Sequence, residues 1–483
     1  MYLNGNMIYD LKYLKLALLV FWGSTILACN KAVQVPEPIS SVTSTQVFST
    51  DATATSAVLG IYSYMSGSEA QSSFSNSLTT INLGESADEL TDGNYGYDFF
   101  LINKLTPQDA SGTVLSSFWQ PAYYDIYNAN AAILGIQAST GMSNGAKNEL
   151  TGEAKFIRAF CYFYLTNLFG DLPLVLDVDF NKTVLLPRSP SNEVYNQIIR
   201  DLLDAQNLLP VDFAFSGGQP VRANKWAATA LLARAYLYQQ NWVGADSAAT
   251  AVINSGQFRL VGLDSVFLAN SSEAILELQT ANNFPYSTEE GETFIPYDST
   301  SSATYWLTDQ LLGAFEFNDL RRSQWVDSTD FYGTYYFYPY KYKSSTNTGA
   351  GSGPITENYI LLRLAEQYLV RAEAEIEPGP QQNLNQAIAD INIIRSRAGL
   401  PGLASNMSAA QLLVSLQHEK QIEFFAEWGH RWLDLKRWGT AIPTLGVISY
   451  KMGNIDSTQL LYPIPLIELQ DDPNLTQNEG YQN

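Results

Sequence analysis

The stretch that most constrains this chain is RANKWAATALLARAYLYQQNWVGADSAATAVINSG, residues 222–256. Its apolar residues recur at helical spacing in two runs with a short turn between them, which predicts a helix, a turn and a second helix. Such a pair cannot bury its apolar faces alone and needs further helices to pack against. ENYILLRLAEQYLVRAEAEI (357–376) followed by LNQAIADINIIRSRAGL (384–400) has the same texture. The chain is therefore expected to be mainly α-helical, with helical hairpins as its scaffold.

Within the first hairpin, Leu232, Ala233 and Tyr236 stand where a tetratricopeptide-type repeat places Leu, a small residue and Tyr. Ala245 falls where a small side chain lets the second helix approach closely. Leu364, Ala365 and Tyr368 repeat the set. The repeats are far apart and irregular, so they predict scattered hairpins rather than a regular solenoid. Further helices are expected over 47–65, 118–137, 148–176 (stopped by Gly170 and Pro173) and 191–210, the last with Ser191 as its cap and Pro210 as its stop. SEAILELQ, from 272, predicts a strand. INLGESADELTDGNYGYDFFLINKL (81–105) breaks into Gly, Asn and Asp and is expected to be a loop. A long irregular segment rich in Tyr, Ser, Thr and Gly fills much of 272–356. Long structureless segments inside a folded protein are usually functional.

Apolar residues make up 46% of the sequence and charged residues only 16%, so the chain can bury a large core. The formal net charge of -21 argues against nucleic acid as a partner, because phosphate binding needs clustered Lys and Arg. Two cysteines exclude a disulfide framework. Cys161, inside AFCYFYL, is expected in the core. Cys29 stands in another context. Lys12 and Lys15 precede an apolar run from Leu16 to Leu27, too short for a comfortable membrane span, so residues 1–28 are expected to be a signal peptide. Ile-Leu-Ala-Cys at 26–29 resembles the bacterial lipobox, which implies lipidation of Cys29. Residues 29–45 would then be a tether, followed by a helical region over 46–270 and a region with long aromatic insertions over 271–483.

No catalytic constellation stands out. His418 and His430 are the only histidines, and no HExxH, Cys-His cluster, nucleophile elbow or phosphate-binding glycine loop occurs. Neither an enzyme nor a cofactor nor a metal site is expected. EWGHRWLDLKRWG (427–439) concentrates acids, cations and tryptophans, but its helical spacing suggests a structural clasp. Leu412, Leu413, Leu416, Ile422 and Phe425 form an apolar stripe before it, and Glu419 and Glu423 share a face. Gly429 permits a break. Glu427 with Arg431, and Asp434 with Arg437, are expected ion pairs, and Trp432, Leu435 and Trp438 are expected to face the core.

Several blocks, in sequence order, resemble the SusD/RagB family of outer-membrane nutrient-binding lipoproteins. They are GEAKFIRAFCYFYLTNLFGDLPLV, RSPSNEVYNQIIRDLLDAQNLLP, RANKWAATALLARAYLYQQNW, HEKQIEFFAEWGHRWLDLKRWG and YPIPLIELQDDPNLTQNEGY. Glu479 stands where the family usually has Pro, and Lys420 where it often has Arg. The resemblance implies a mainly α SusD-like fold: tetratricopeptide-like hairpins, a loop-rich ligand region and few short strands. It also implies a surface-exposed, lipid-anchored outer-membrane protein that captures an oligosaccharide or polysaccharide and passes it to a SusC-like TonB-dependent transporter. Peptides or another nutrient are the alternative ligand, and a surface hydrolase a more distant one.

Sugar rings offer flat apolar faces edged with hydroxyls, so aromatic rings beside Asp and Asn suit them. Two loops combine these. One holds Asp88, Asp92, Asn94, Tyr95, Tyr97 and Phe99; the other holds Tyr286, Tyr305, Trp306, Trp325, Tyr335 and Tyr340. The family resemblance implies ligand contacts from these two regions without fixing single residues.

Overall fold

Helices with mostly buried faces carry the structure, a computed structural model that describes residues 43–67, 74–93, 98–108, 110–280, 287–298, 300–346 and 355–481. Cys29 lies outside the described residues. Residues 43–47 belong to a separate unit and contain one helical turn, Ser44–Val47. Everything below concerns the unit Phe48–Asn483. No helix among the described residues is long and apolar enough to cross a membrane.

Helix α1 (Asp51–Met65) starts at Thr50, whose hydroxyl accepts the Thr53 N–H at 3.3 Å. The expected loop at 81–105 is only partly a loop. Thr79–Ser86 forms a helix, α2, and Leu90–Thr91 a strand, β1. Every residue of α2 is buried, so packing overrides the weak helix preference of its Thr, Asn and Gly. Helices α3 (Ala110–Ala138) and α4 (Asn144–Phe169) follow, and α4 ends at Gly170 with φ +76°. Cys161 is fully buried in α4, as expected, and burial pushes its thiol well above the usual range. Strands β2 (Leu172–Pro173) and β3 (Arg188–Ser189) pair antiparallel. In helix α5 (Ser191–Leu208) the expected cap is displaced: Ser191 is the first helical residue and Pro190 precedes it. The Asp171 carboxylate takes over, accepting the Ser191 N–H at 2.8 Å and its hydroxyl at 2.9 Å.

The hairpin at 222–256 forms helices α6 (Lys225–Tyr238) and α7 (Trp242–Ile253). Ala233, Ala245 and Ala249 pack against Val370 and Ala374 of a later helix, with Tyr236 at the edge of the cluster. Small side chains are what permit this close approach. Arg234 adds a buried double hydrogen bond to Glu366, at 2.5 and 2.7 Å. Strand β4 (Ala274–Leu278), where a strand was expected, pairs antiparallel with a later strand.

Strand β5 (Trp306–Leu307) pairs with β1 in the register Leu90↔Leu307 and Thr91↔Trp306. Two short helices, α8 (Asp309–Ala314) and α9 (Leu320–Gln324), lead into a hairpin of β6 (Val326–Phe331) and β7 (Thr334–Pro339). Tyr332 and Gly333, at φ +52° and +81°, make its two-residue turn. Positive φ at both positions matches the twist of the flanking strands. Strand β8 (Tyr359–Arg363) is the partner of β4 and runs straight into α10 (Leu364–Ile376), followed by α11 (Leu384–Arg397).

Helix α12 (Ala409–Glu423) opens with a capping box of Ser408 and Gln411, and α13 (His430–Arg437) follows a tight turn. Ala426, Trp428 and Gly429 all have positive φ in that turn. A Cβ on Gly429 would lie 2.2 Å from Leu83, so only glycine fits. The apolar stripe is buried at Leu412, Leu416, Ile422 and Phe425, and half-buried at Leu413. Trp432 and Leu435 enter the core, while Trp438 is half-buried and donates to Glu373 at 2.7 Å.

The clasp is an ionic network. Glu423 accepts from Arg363 at 2.6 Å, from Arg321 at 3.1 Å and from Arg397. Arg363 also forks onto Glu427, at 2.9 Å through two nitrogens. Glu419 pairs with Arg321 at 2.6 Å and Arg395 at 3.2 Å, so it shares Arg321 with Glu423 as their common face allows. The guanidinium groups beside Glu423 hold its carboxyl far below the usual range despite burial. Asp434 pairs with Arg437 at 2.7 Å as expected. Arg431 does not pair with Glu427: it forms a bidentate bond to Asp88, both contacts 2.8 Å, because Glu427 is taken by Arg363 and Lys341. His430 is buried and stacks on Phe424 at 4.8 Å. Burial, reinforced by surrounding cations, keeps its imidazole neutral.

Candidate functional site

The antiparallel contact of β1 with β5 brings the two aromatic-rich regions of the sequence together. Thr308 fastens the junction. Its N–H donates to the Glu89 carbonyl at 3.0 Å, and its hydroxyl donates to the Asp88 carbonyl. The same oxygen accepts the Leu311 N–H at 3.2 Å and so caps α8. Gly93, at φ +80°, passes over the Trp306 ring so closely that a Cβ would lie 2.6 Å from it.

A cavity of about 600 Å³ opens beside this junction. Trp306, Tyr335, Phe337 and Tyr450 give it aromatic walls, and Thr91, Asp309, Gln310 and Ser449 give it polar ones. Trp306 is braced edge-on by Tyr336, with ring centres 4.8 Å apart. Behind them lie the buried Ile295, Ala303 and Tyr338, with Tyr340 at the edge. Phe337 is backed by the Arg322 guanidinium, 4.6 Å from its centre. Tyr335 is 63% exposed. Rigidly held aromatic faces next to hydroxyl, carboxylate and amide groups can stack on a ring and bond its rim.

Of the residues singled out from sequence, Trp306 and Tyr335 meet in this cavity. Asp88 does not: it is buried and committed to Arg431. Trp325 is also a correction. It is fully buried, donates its indole N–H to the Leu263 carbonyl at 2.8 Å and carries Lys341 4.7 Å over its ring. Tyr305 and Phe99 are half-buried, and neither is among the cavity's lining residues. Asn94, Tyr95, Tyr97 and Tyr286 lie outside the described residues. Phe337 and Tyr450 were missed. The strand period could have found Phe337, since it is two residues from Tyr335 and so faces the same side of β7. Tyr450 carries no comparable signal.

Below β1, Glu85, Asp92 and Asp98 bring one carboxylate oxygen each within 4.8 Å of one another. Burial, with Asp98 and Asp92 close by, raises the Glu85 carboxyl well above the usual range. Burial raises Asp98 as well, although its Oδ1 accepts the N–H groups of Phe100 and Leu101, both at 2.9 Å. Burial and these same three acids push the Tyr305 hydroxyl up.

A helical scaffold bearing an open aromatic cavity has the architecture of a binding protein. Two family models match the chain: "SusD family" over residues 317–481 and "Starch-binding associating with outer membrane" over 42–237. The chain belongs to the SusD/RagB family, a family of binding proteins rather than enzymes. SusD-like protein P2 of Formosa agariphila is 29% identical, with 95% of this chain and 97% of that protein covered. A SusD superfamily protein from Bacteroides vulgatus superposes with a TM-score of 0.77 at 23% identity, covering 89% of this chain and 99% of the other. A laminarin-binding SusD-like protein does so with a TM-score of 0.71 at 23% identity, again over 89% and 99%. The mainly helical architecture with few short strands is thus the family's fold, and the chain is an outer-membrane-associated protein of this type.

Proposed function

We propose that the protein captures a glycan in the cavity walled by Trp306, Tyr335, Phe337 and Tyr450, and delivers it to a SusC-like TonB-dependent transporter. The observation that carries this is the pairing of braced aromatic faces with Thr91, Asp309 and Gln310 in one open cavity. A ligand chain stacks on the aromatics and bonds its hydroxyls to those polar groups. That a structural relative binds laminarin supports a glycan over a peptide. We further infer that Cys29 carries the lipid that holds the protein at the cell surface. The paired helices α6–α7 and α10–α11 are proposed as tetratricopeptide-like units, with 46–270 as the helical region and 271–483 as the region bearing the aromatic insertions.

Affinity electrophoresis and isothermal titration against a panel of polysaccharides test the ligand. Binding of at least one glycan, weakened by Trp306→Ala, is expected. Binding of peptides with no glycan bound would overturn the reading. Cys29→Ala should release the protein from membranes, and continued incorporation of labelled palmitate would refute the anchor.

A further inference from the structure

The acidic cluster formed by Glu85, Asp92 and Asp98 has a feature that solvated surface acids lack. Glu85 is 1% exposed, and its Oε1 has no hydrogen-bond partner. A buried carboxyl oxygen without a partner is costly, and native structures seldom leave one so unless an ion, a water or a bound proton neutralises the group. The nearest cation does not supply the need through a direct bond. Lys451 Nζ is spent on the main-chain carbonyls of Glu85 and Leu101, both at 2.6 Å, on that of Ser86 at 3.2 Å, and on Asn103 Oδ1 at 2.8 Å. Asp92 and Asp98 are only half-buried, so the cluster opens outward on one side.

We propose that Glu85, Asp92 and Asp98 bind a divalent cation of the calcium type. The donor set is purely oxygen, which selects a hard cation over zinc or copper. Calcium–oxygen bonds of about 2.3–2.6 Å place two ligands on one ion no more than about 5 Å apart. The three carboxylate oxygens already satisfy that limit. Magnesium keeps several of its waters and usually takes only one or two carboxylates, so a set of three carboxylates suits calcium better. Asp98 is preset by two backbone N–H groups, and Glu85 by helix α2. Thr91, next to Asp92, lines the glycan cavity, and Gly93 lies against Trp306. The ion would therefore tie the acidic segment to the cavity wall. Cation binding itself does not depend on the glycan assignment.

Isothermal titration of calcium into chelator-stripped, full-length protein tests this, with terbium luminescence sensitised by Tyr305 and Trp306 as a second readout. One calcium per chain is expected, with at least a tenfold loss of affinity in Glu85→Gln and a higher melting temperature of the wild type in calcium. Because Glu85→Gln alters a buried position, Asp92→Asn provides a variant at a half-exposed one and should show the same loss. Absence of calcium uptake by the wild type overturns the proposal. So does uptake that persists unchanged in folded Glu85→Gln and Asp92→Asn proteins, or magnesium binding more tightly than calcium.

Discussion

Replacing Glu423 with Gln isolates the charge at the centre of the clasp. The two side chains have nearly the same shape, so no cavity is created. What is lost is the anion shared by Arg363, Arg321 and Arg397, all in side-chain environments no more than 8% exposed. Removing one partner of a buried ionic group costs about 3–5 kcal/mol, because the cations stay buried without compensation. Glu419, Glu427, Glu273 and Asp319 still serve these arginines, which holds the expected loss for Glu423→Gln to that range. Asp204→Asn is the control: its pair with Lys155 is solvent-exposed on the acid side and should change stability by less than about 1 kcal/mol. Equilibrium urea unfolding, followed by tryptophan fluorescence, measures both. The dependence on pH has a definite sign. The folded-state carboxyl is depressed below its ordinary value of 4.5, so its contribution is present above that pH and fades as pH falls toward the folded value. The gap between wild type and Glu423→Gln should narrow on acidification. A loss below about 1 kcal/mol at neutral pH would refute the view that this network holds α12 and α13 in place.

Other perturbations separate structure from binding. Glu290 is buried, with a carboxyl raised to about 8 by desolvation, and it accepts a bond from Tyr359 at 2.9 Å. The folded state therefore keeps a proton that the unfolded chain has released, and wild-type stability should fall by up to about 1.4 kcal/mol per unit as pH rises from 4.5 to 8; Glu290→Gln should remove that slope in pH-dependent denaturation. Tyr335→Ala should weaken glycan binding about three- to tenfold with the melting temperature unchanged, whereas Trp325→Ala should cost about 3–5 kcal/mol of stability, because one ring is exposed and the other is core. Gly429→Ala should destabilise by about 2 kcal/mol or more, since it meets Leu83 and forces positive φ on a Cβ-bearing residue; chemical denaturation checks it.

The helices were legible wherever their own apolar spacing decided the matter. The hairpin 225–253 and the helix 364–376 fall where Leu232, Ala233, Leu364 and Ala365 placed them. Helix α2 was not, because Thr79–Ser86 is helical through burial on all sides rather than through its own residues. Ser191 shows the same limit at a cap, where Asp171 from the preceding loop does the work. At the cavity, composition pointed to two loops but could not sort which of their aromatics face open space and which fill the core. Trp306 and Trp325 look alike in sequence, yet one lines the cavity and the other fills the core. Arg431 chose Asp88, more than three hundred residues away, over the nearby Glu427, a choice that only tertiary competition for Glu427 determines.

The clasp also bears on the order of events during synthesis. Arg321, Arg363 and Arg397 precede α12 in the chain, while their shared anion sits on α12 itself. Until Glu419, Glu423 and Glu427 have emerged, Arg321 has only Asp319, and Arg363 and Arg397 share only Glu273, so burying all three guanidiniums early is penalised. Segments made earlier can fold locally, but this part of the core can close only behind the C-terminal helices. A truncated chain is thereby denied a finished interior and left open to the proteases that remove incomplete molecules.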